Sequence, residues 1–195
     1  MFWYRNLLIF GLIFGSVFAS VADEKKDPLK VGSLAPEWTL KDANNKAYKL
    51  ADFEGRILVL LGSDKKGDEE NEVWGGKLAE KYNNQIAIVG LADLRGVPFF
   101  LKGRMKSNFR NRRDTPSAKY GVPILLDWKG DVPKSYGFFQ VVSNQVVIDA
   151  EGIVQYIAHG KCTDPAFEKM CEILDALLEE EAENPCDDSK PEQRD

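Results

Sequence analysis

The chain has 195 residues, 44% of them apolar, which is enough for one globular core. Its 26 basic and 31 acidic side chains leave a net charge of −5, which argues against general nucleic-acid affinity. One histidine, His159, and three cysteines, Cys162, Cys171 and Cys186, confine metal and thiol chemistry to a few places.

Met1 to Arg5 carry one positive charge, Leu7 to Phe18 are nearly all apolar, and small residues follow. That pattern predicts a secretory signal peptide over 1–22, cleaved after Ala19 or Ala22. The competing reading is an uncleaved anchor, but the apolar stretch is shorter than the roughly 20 residues a spanning helix needs. Cleavage after Ala22 removes Arg5 and no acid, leaving 25 basic against 31 acidic side chains and a net charge of −6. The expected location is periplasmic or extracellular. An odd cysteine count in an exported chain leaves at least one thiol free or paired with another molecule.

Residues 23–30 are charged, contain Pro28 and read as a flexible lead. Two short extended segments, Val31–Leu40 and Lys46–Leu50, flank an Asn44-Asn45 turn and predict an N-terminal β-hairpin. Arg56–Leu61 is a continuous apolar run ending at Gly62-Ser63-Asp64, the pattern of a buried central strand. Asp68–Tyr82 reads as a helix with Trp74, Leu78 and Tyr82 on one stripe and acids in its first turns. Gly75-Gly76 within it marks a close approach to the sheet or a kink. Gln85–Ala92 is a second buried strand, and Pro98 opens a helix to about Asn111. On that helix Leu101, Met105 and Phe109 form an apolar stripe, and Lys102, Lys106, Arg110 and Arg113 a basic one, with Arg104 and Arg112 nearby.

Pro123–Asp127 is a short apolar segment followed by a turn at Trp128–Asp131. Asn144–Asp149 and Ile153–Ala158 are strands joined by a tight connection. Asp164-Pro165 predicts an N-cap and first turn, and Phe167, Met170, Cys171, Leu174, Leu177 and Leu178 form the core face of the last helix. From 181 the chain is read as an acidic disordered tail. The folded domain therefore spans 31–180. Strand, helix, strand, helix, hairpin and helix in that order predict an α/β fold, a central mixed sheet flanked by helices.

That order resembles the thioredoxin fold, and the chain resembles its redoxin branch, the alkyl hydroperoxide reductase/thiol-specific antioxidant and thioredoxin-like proteins. The matching residues are Gly32-Ser33-x-Ala35-Pro36, Thr39-Leu40-x-Asp42, Tyr48-x-Leu50-x-Asp52-Phe53-x-Gly55, Tyr136-Gly137 and Val147-Ile148-Asp149-x-x-Gly152. They span about Val31 to Leu178. The resemblance implies a redox Cys-x-x-Cys around Lys66 to Glu69, or a peroxidatic cysteine near Gly67 to Glu70. No cysteine stands there. The family's cis-proline, or a peroxiredoxin arginine, would fall near Ser143, and neither is present. Both chemistries need a thiolate, which no lysine or glutamate replaces.

Three functional readings follow. The first is a non-catalytic binding or accessory module of the cell envelope. Asp64, Lys65, Lys66 and Arg95 would form a polar pocket at the vacated redox rim, joined by the basic helix, for a protein partner or an anionic ligand. The second is a divergent thiol oxidoreductase or peroxidase acting through Cys162, whose thiol the start of the last helix and Lys161 would acidify. Against this, the start of the last helix need not face the central strand's C-terminal loop. The third is a peripheral protein that binds anionic membrane through Lys102, Lys106 and Arg110. Cys171 reads as a small core residue, and pairing of Cys162 with Cys186 would require the tail to fold back. A lone histidine is a poor metal signal, and no cofactor motif is evident.

Overall fold

Strand β3 (Leu58–Ser63) is buried along its whole length. A strand with no polar face must be hydrogen-bonded on both edges and covered on both sides. It pairs in parallel with β4 (Ala87–Asp93) and antiparallel with β6 (Asn144–Ile148). The computed structural model of the chain describes residues 29–183. The expected leader, nearly all of the lead, Cys186 and the tail beyond Glu183 lie outside them.

The sheet has seven strands in the order β2-β1-β5-β4-β3-β6-β7. Its remaining members are β1 (Thr39–Asp42), β2 (Ala47–Lys49), β5 (Ile124–Asp127) and β7 (Val154–His159). The expected N-terminal hairpin is present, and β1 joins the main sheet by pairing antiparallel with β5. Its first strand starts at Thr39, not at Val31. The preceding residues run to the opposite edge of the sheet, where Gly32 N–H donates to Val154 O at 2.7 Å and Leu34 bridges Ile153.

Helix α1 (Asp68–Tyr82) and helix α5 (Asp164–Glu183) cover one face, packing Trp74, Leu78, Tyr82, Met170 and Leu174 on Ile57, Val59, Leu61 and Val147. The other face, carrying Leu58, Leu60, Leu125, Val146 and Ile148, lies under Trp38, Leu50, Val132, Tyr136 and Phe138. Phe138 lies directly over Gly62 of β3, so that any side chain at position 62 would collide with the ring.

Several boundaries differ from the sequence reading, each for a local reason. The helix expected from Pro98 begins with a tight turn at Phe99–Leu101, and regular helix α2 covers only Lys102–Arg110. Leu101 is left exposed, and Met105 and Phe109 alone pack on the body. Thr115 caps a short helix α3 (Pro116–Lys119), its hydroxyl accepting from Ala118 N–H. Buried Asp127 accepts from the N–H groups of Lys129, Gly130 and Val132 and starts helix α4 (Asp131–Ser135) where only a turn was expected. Asp164 is the first residue of α5 and not its cap; the Thr163 hydroxyl accepts from Ala166 N–H. The helix runs to Glu183, three residues into the expected tail.

Gly75 and Gly76 do permit a close approach, but to α3 rather than to the sheet. A Cβ on Gly76 would lie 2.5 Å from Pro116 Cβ, and one on Gly75 would collide with the Ser117 hydroxyl. Gly76→Ala is therefore expected to lower stability by about 1–3 kcal/mol despite its better helix propensity. Gly103→Ala, in α2 with nothing within 4 Å of the added methyl, is expected to raise it by about 0.5–1 kcal/mol. Urea midpoints at unchanged slope check both.

Candidate functional site

Beyond Ser63 the chain turns through Asp64–Gly67 into α1, at the C-terminal ends of the parallel strands. This is where α/β sheets place their sites. Asp64 shapes the turn. Its Oδ1 accepts from Lys66 N–H at 2.9 Å and Gly67 N–H at 3.3 Å, and its Oδ2 accepts from Val141 N–H at 3.2 Å. The loop before β6 is thereby drawn down onto the head of the helix. A Cβ on Gly67 would lie 2.5 Å from Val142 O and 2.9 Å from Ser143 N. The backbone of 142–143 thus occupies the space a side chain at position 67 would need. Val141 reaches this position with a φ of 72°, in the left-handed region that costs a β-branched residue about 1–2 kcal/mol.

A buried polar chain lies beneath. Asn71 Nδ2 donates to Ser63 Oγ at 2.8 Å and Leu61 O at 3.2 Å, and Ser143 Oγ donates to Asn71 Oδ1. Gln145 Nε2 donates to Ser143 Oγ at 2.5 Å and to Gly160 O at 3.3 Å, and Gly160 O also accepts from Trp74 Nε1. All four polar side chains are buried, so each bond offsets a desolvation cost. Gln145 Oε1 has no partner among the described residues.

A second knot holds the outer rim. Asn144 Nδ2 donates to the carbonyls of Gly62, Phe139 and Val142. With the amide nitrogen so placed, Oδ1 is the acceptor for Phe139 N–H and for His159 Nδ1, both at 2.8 Å. The imidazole therefore carries its proton on Nδ1. Burial lowers the His159 pKa, favouring the neutral ring, which packs edge-on against Phe139 at 4.5 Å. Phe139 and Val141 stay 61% and 53% exposed, an apolar pair beside the exposed Lys65 and Lys66.

The expected rim residues do gather at this edge, but not as an open polar pocket. Asp64 is engaged in the turn. Arg95 pairs with Asp93 at 2.6 Å, and that carboxylate, followed by Asp127 and Asp64, raises its pKa. The basic helix joins the rim only at its first residue, where Lys102 lies over the Trp128 ring at 5.2 Å. Lys106 and Arg110 reach the β1–β2 turn at the other end of the sheet, bonding Asn45 Oδ1 and Ala43 O. Arg112 leaves the helix to pair with Asp68 and Glu72 of α1, both at 2.9 Å.

Cys162 lies against α1, its backbone N–H 3.4 Å from Glu70 Oε2. Burial pushes its thiol up to about 11, with Lys77 opposing and Glu70 and Asp164 adding to the rise. This reverses the acidification expected from the helix start and Lys161. Cys171 is buried in the α1–α5 core.

The sequence reading missed Asn71, Ser143, Gln145, Asn144 and Phe139. One signal was present: Asn71 shares the apolar face of α1 with Trp74 and Leu78, and a polar residue at a core position calls for a buried partner.

No family model matches the chain, and no curated protein matches it in sequence. Solved structures do. A candidate thiol:disulfide interchange protein, DsbE, from Chlorobium tepidum aligns with a TM-score of 0.58 and 18% identity over 77% of this chain and 99% of that one. An exposed lipoprotein thioredoxin from Streptococcus pneumoniae gives 0.54 and 17% over 73% and 100%. The thioredoxin domain of a thiol-disulfide oxidoreductase from Bacteroides vulgatus gives 0.52 and 19% over 74% and 97%. The fold is thioredoxin-like, as the motifs imply. The strand–turn–helix junction that this architecture presents at the sheet edge is here built from Asp64, Gly67 and Asn71.

The buried chain gives a direct test. Ser143→Ala strips Asn71 and Gln145 of a shared partner and is expected to cost about 1–3 kcal/mol. Ser135→Ala, which removes only a local bond to Val132 O, is expected to stay within about 0.5 kcal/mol. Denaturant midpoints of the two variants check the difference.

Proposed function

We propose that this chain is an exported thioredoxin-fold protein that acts as a non-catalytic binding module of the cell envelope. The observation that carries the reading is the contact of Gly67 with Val142 O and Ser143 N. It puts backbone where a thiol chemistry would need a side chain and free space. Of the two cysteines described, Cys171 is buried in the α1–α5 core, and Cys162 lies beside Glu70 of the first turn of α1 with its thiol held protonated by burial. The partner surface in this reading is the closed rim, with Phe139 and Val141 offering apolar contact and Lys65 and Lys66 offering charge to an acidic partner. The expected leader supports export, as does the description of one structural neighbour as an exposed lipoprotein.

The alternative, a thiol oxidoreductase or peroxidase acting at Cys162, requires a thiolate at neutral pH. A thiol held near 11 is almost wholly protonated there. Its carboxylate neighbours Glu70 and Asp164 act in the same direction.

Site-resolved alkylation with iodoacetamide tests the reading, with peptide mass mapping to separate the three thiols. At neutral pH Cys162 is expected to react more slowly than a model thiol. Its rate should go on rising with pH to near 11, past the usual thiol value of about 8.5. No turnover is expected with peroxide or a small disulfide. Rapid formation of a sulfenate or mixed disulfide at Cys162 with stoichiometric oxidant would sink the non-catalytic reading.

A further inference from the structure

The segment 94–113 holds seven cations, Arg95, Lys102, Arg104, Lys106, Arg110, Arg112 and Arg113, and no acid, in a chain of net charge −5. Arg95 and Arg112 are neutralised by Asp93 and by Asp68 and Glu72. The other five have no carboxylate partner among the described residues. Lys106 and Arg110 bond only to uncharged oxygens of the β1–β2 turn, and Lys102 rests on Trp128. These contacts fix the side chains in place without cancelling their charge.

The same segment carries the two most exposed aromatic side chains described, Phe99 at 83% and Phe100 at 70%. They sit side by side at the tight turn that leads into α2, with ring centroids 5.9 Å apart. Spacings of three and four residues align Phe99 with Lys102, Lys106 and Arg110, and Phe100 with Arg104. Met105 and Phe109 tie the adjoining face of α2 to Ala92, Leu94 and Leu126, which seats the helix on a rigid body with Arg104 and Arg110 exposed and Lys102 and Lys106 half-buried along its flank. We infer that this turn and helix are a membrane-docking edge, with Phe99 and Phe100 entering the interface of an anionic bilayer and the five unpaired cations lying over its headgroups. A convex aromatic tip with a cationic flank suits a soft, negatively charged surface. Rings as exposed as these offer protruding apolar area for burial in an interface. The inference stands apart from the rim reading, because it uses none of Phe139, Val141, Lys65 and Lys66 and meets the rim only at Lys102.

The test is vesicle co-sedimentation of the chain from Asp23 onward, which contains every described strand and helix. Vesicles of phosphatidylcholine alone are compared with vesicles also containing phosphatidylglycerol. Binding is expected only to the anionic vesicles and is expected to weaken steeply with salt. Phe99→Ser/Phe100→Ser should lower the partition coefficient roughly tenfold or more, by removing aromatic area from the interface. Arg104→Gln, at an exposed position without a hydrogen bond or ion pair among the described residues, should lower it about fivefold. Lys102→Gln/Lys106→Gln/Arg110→Gln should nearly abolish it. Circular dichroism and thermal melting confirm that each variant is folded. Equal binding to both vesicle types, or anionic binding unchanged in the folded phenylalanine variant, overturns the inference. So does failure of the unsubstituted chain to bind anionic vesicles, which would leave the patch to an acidic protein.

Discussion

The hydrogen bond from Ser143 to Asn71 is the hinge-pin of the molecule's functional edge. It joins the first turn of α1 to the start of β6, the two elements between which a thioredoxin-like protein would present its chemistry. Everything around it follows from holding these elements at contact distance. Gly67 must lack a side chain, Val141 must adopt an unfavourable φ, and Asp64 must turn inward to hold Val141 N–H. Ser63 and Gln145 must be polar in otherwise apolar strands. A chain of this kind is satisfied only when every member is present, because each loss leaves a buried group without a partner.

The closed edge changes what the fold can do. Thiol enzymes need a reactive sulfur, an open approach and an environment that favours the anion. Here the junction has no sulfur, the approach is filled by backbone, and Cys162, the more exposed of the two thiols described, sits in surroundings that favour its protonated form. What remains exposed is a rigid surface of mixed character. Phe139 is held by its own backbone N–H and C=O to Asn144, so its ring is displayed with little conformational freedom to lose on contact. Preordered aromatic rings are effective contact residues for that reason.

Much of the architecture was legible in the sequence. The apolar run of β3, the stripe of α1 and the two strands joined at Asp149–Gly152 declare themselves through periodicity and turn chemistry, and the motif order supplied the fold. The short helices were not legible, because α4 depends on Asp127, whose carboxylate looks like any strand-end acid until its three backbone partners are brought round. The polar pocket expected at the rim was misjudged for a similar reason. Asp64 reads as a surface charge, yet it is drawn inward by a loop seventy-odd residues away in the chain. The basic helix was visible as a charge pattern, but periodicity extends a stripe smoothly. It could not show that the first turn breaks away and leaves two phenylalanines outside.

The position of β3 also constrains how the chain reaches this structure. Its parallel neighbour is a short crossover away, but its other neighbour pairs Leu58 with Ile148, and the N-terminal hairpin waits for β5, pairing Lys41 with Leu126. The central strand and the hairpin both emerge early and remain half-matched until most of the chain is available. Loop-closure entropy must be met before these distant pairings return any stability, which slows the search. Closure of the sheet is thereby disfavoured until the C-terminal strands are available, so a partial chain keeps its central strand open on one edge.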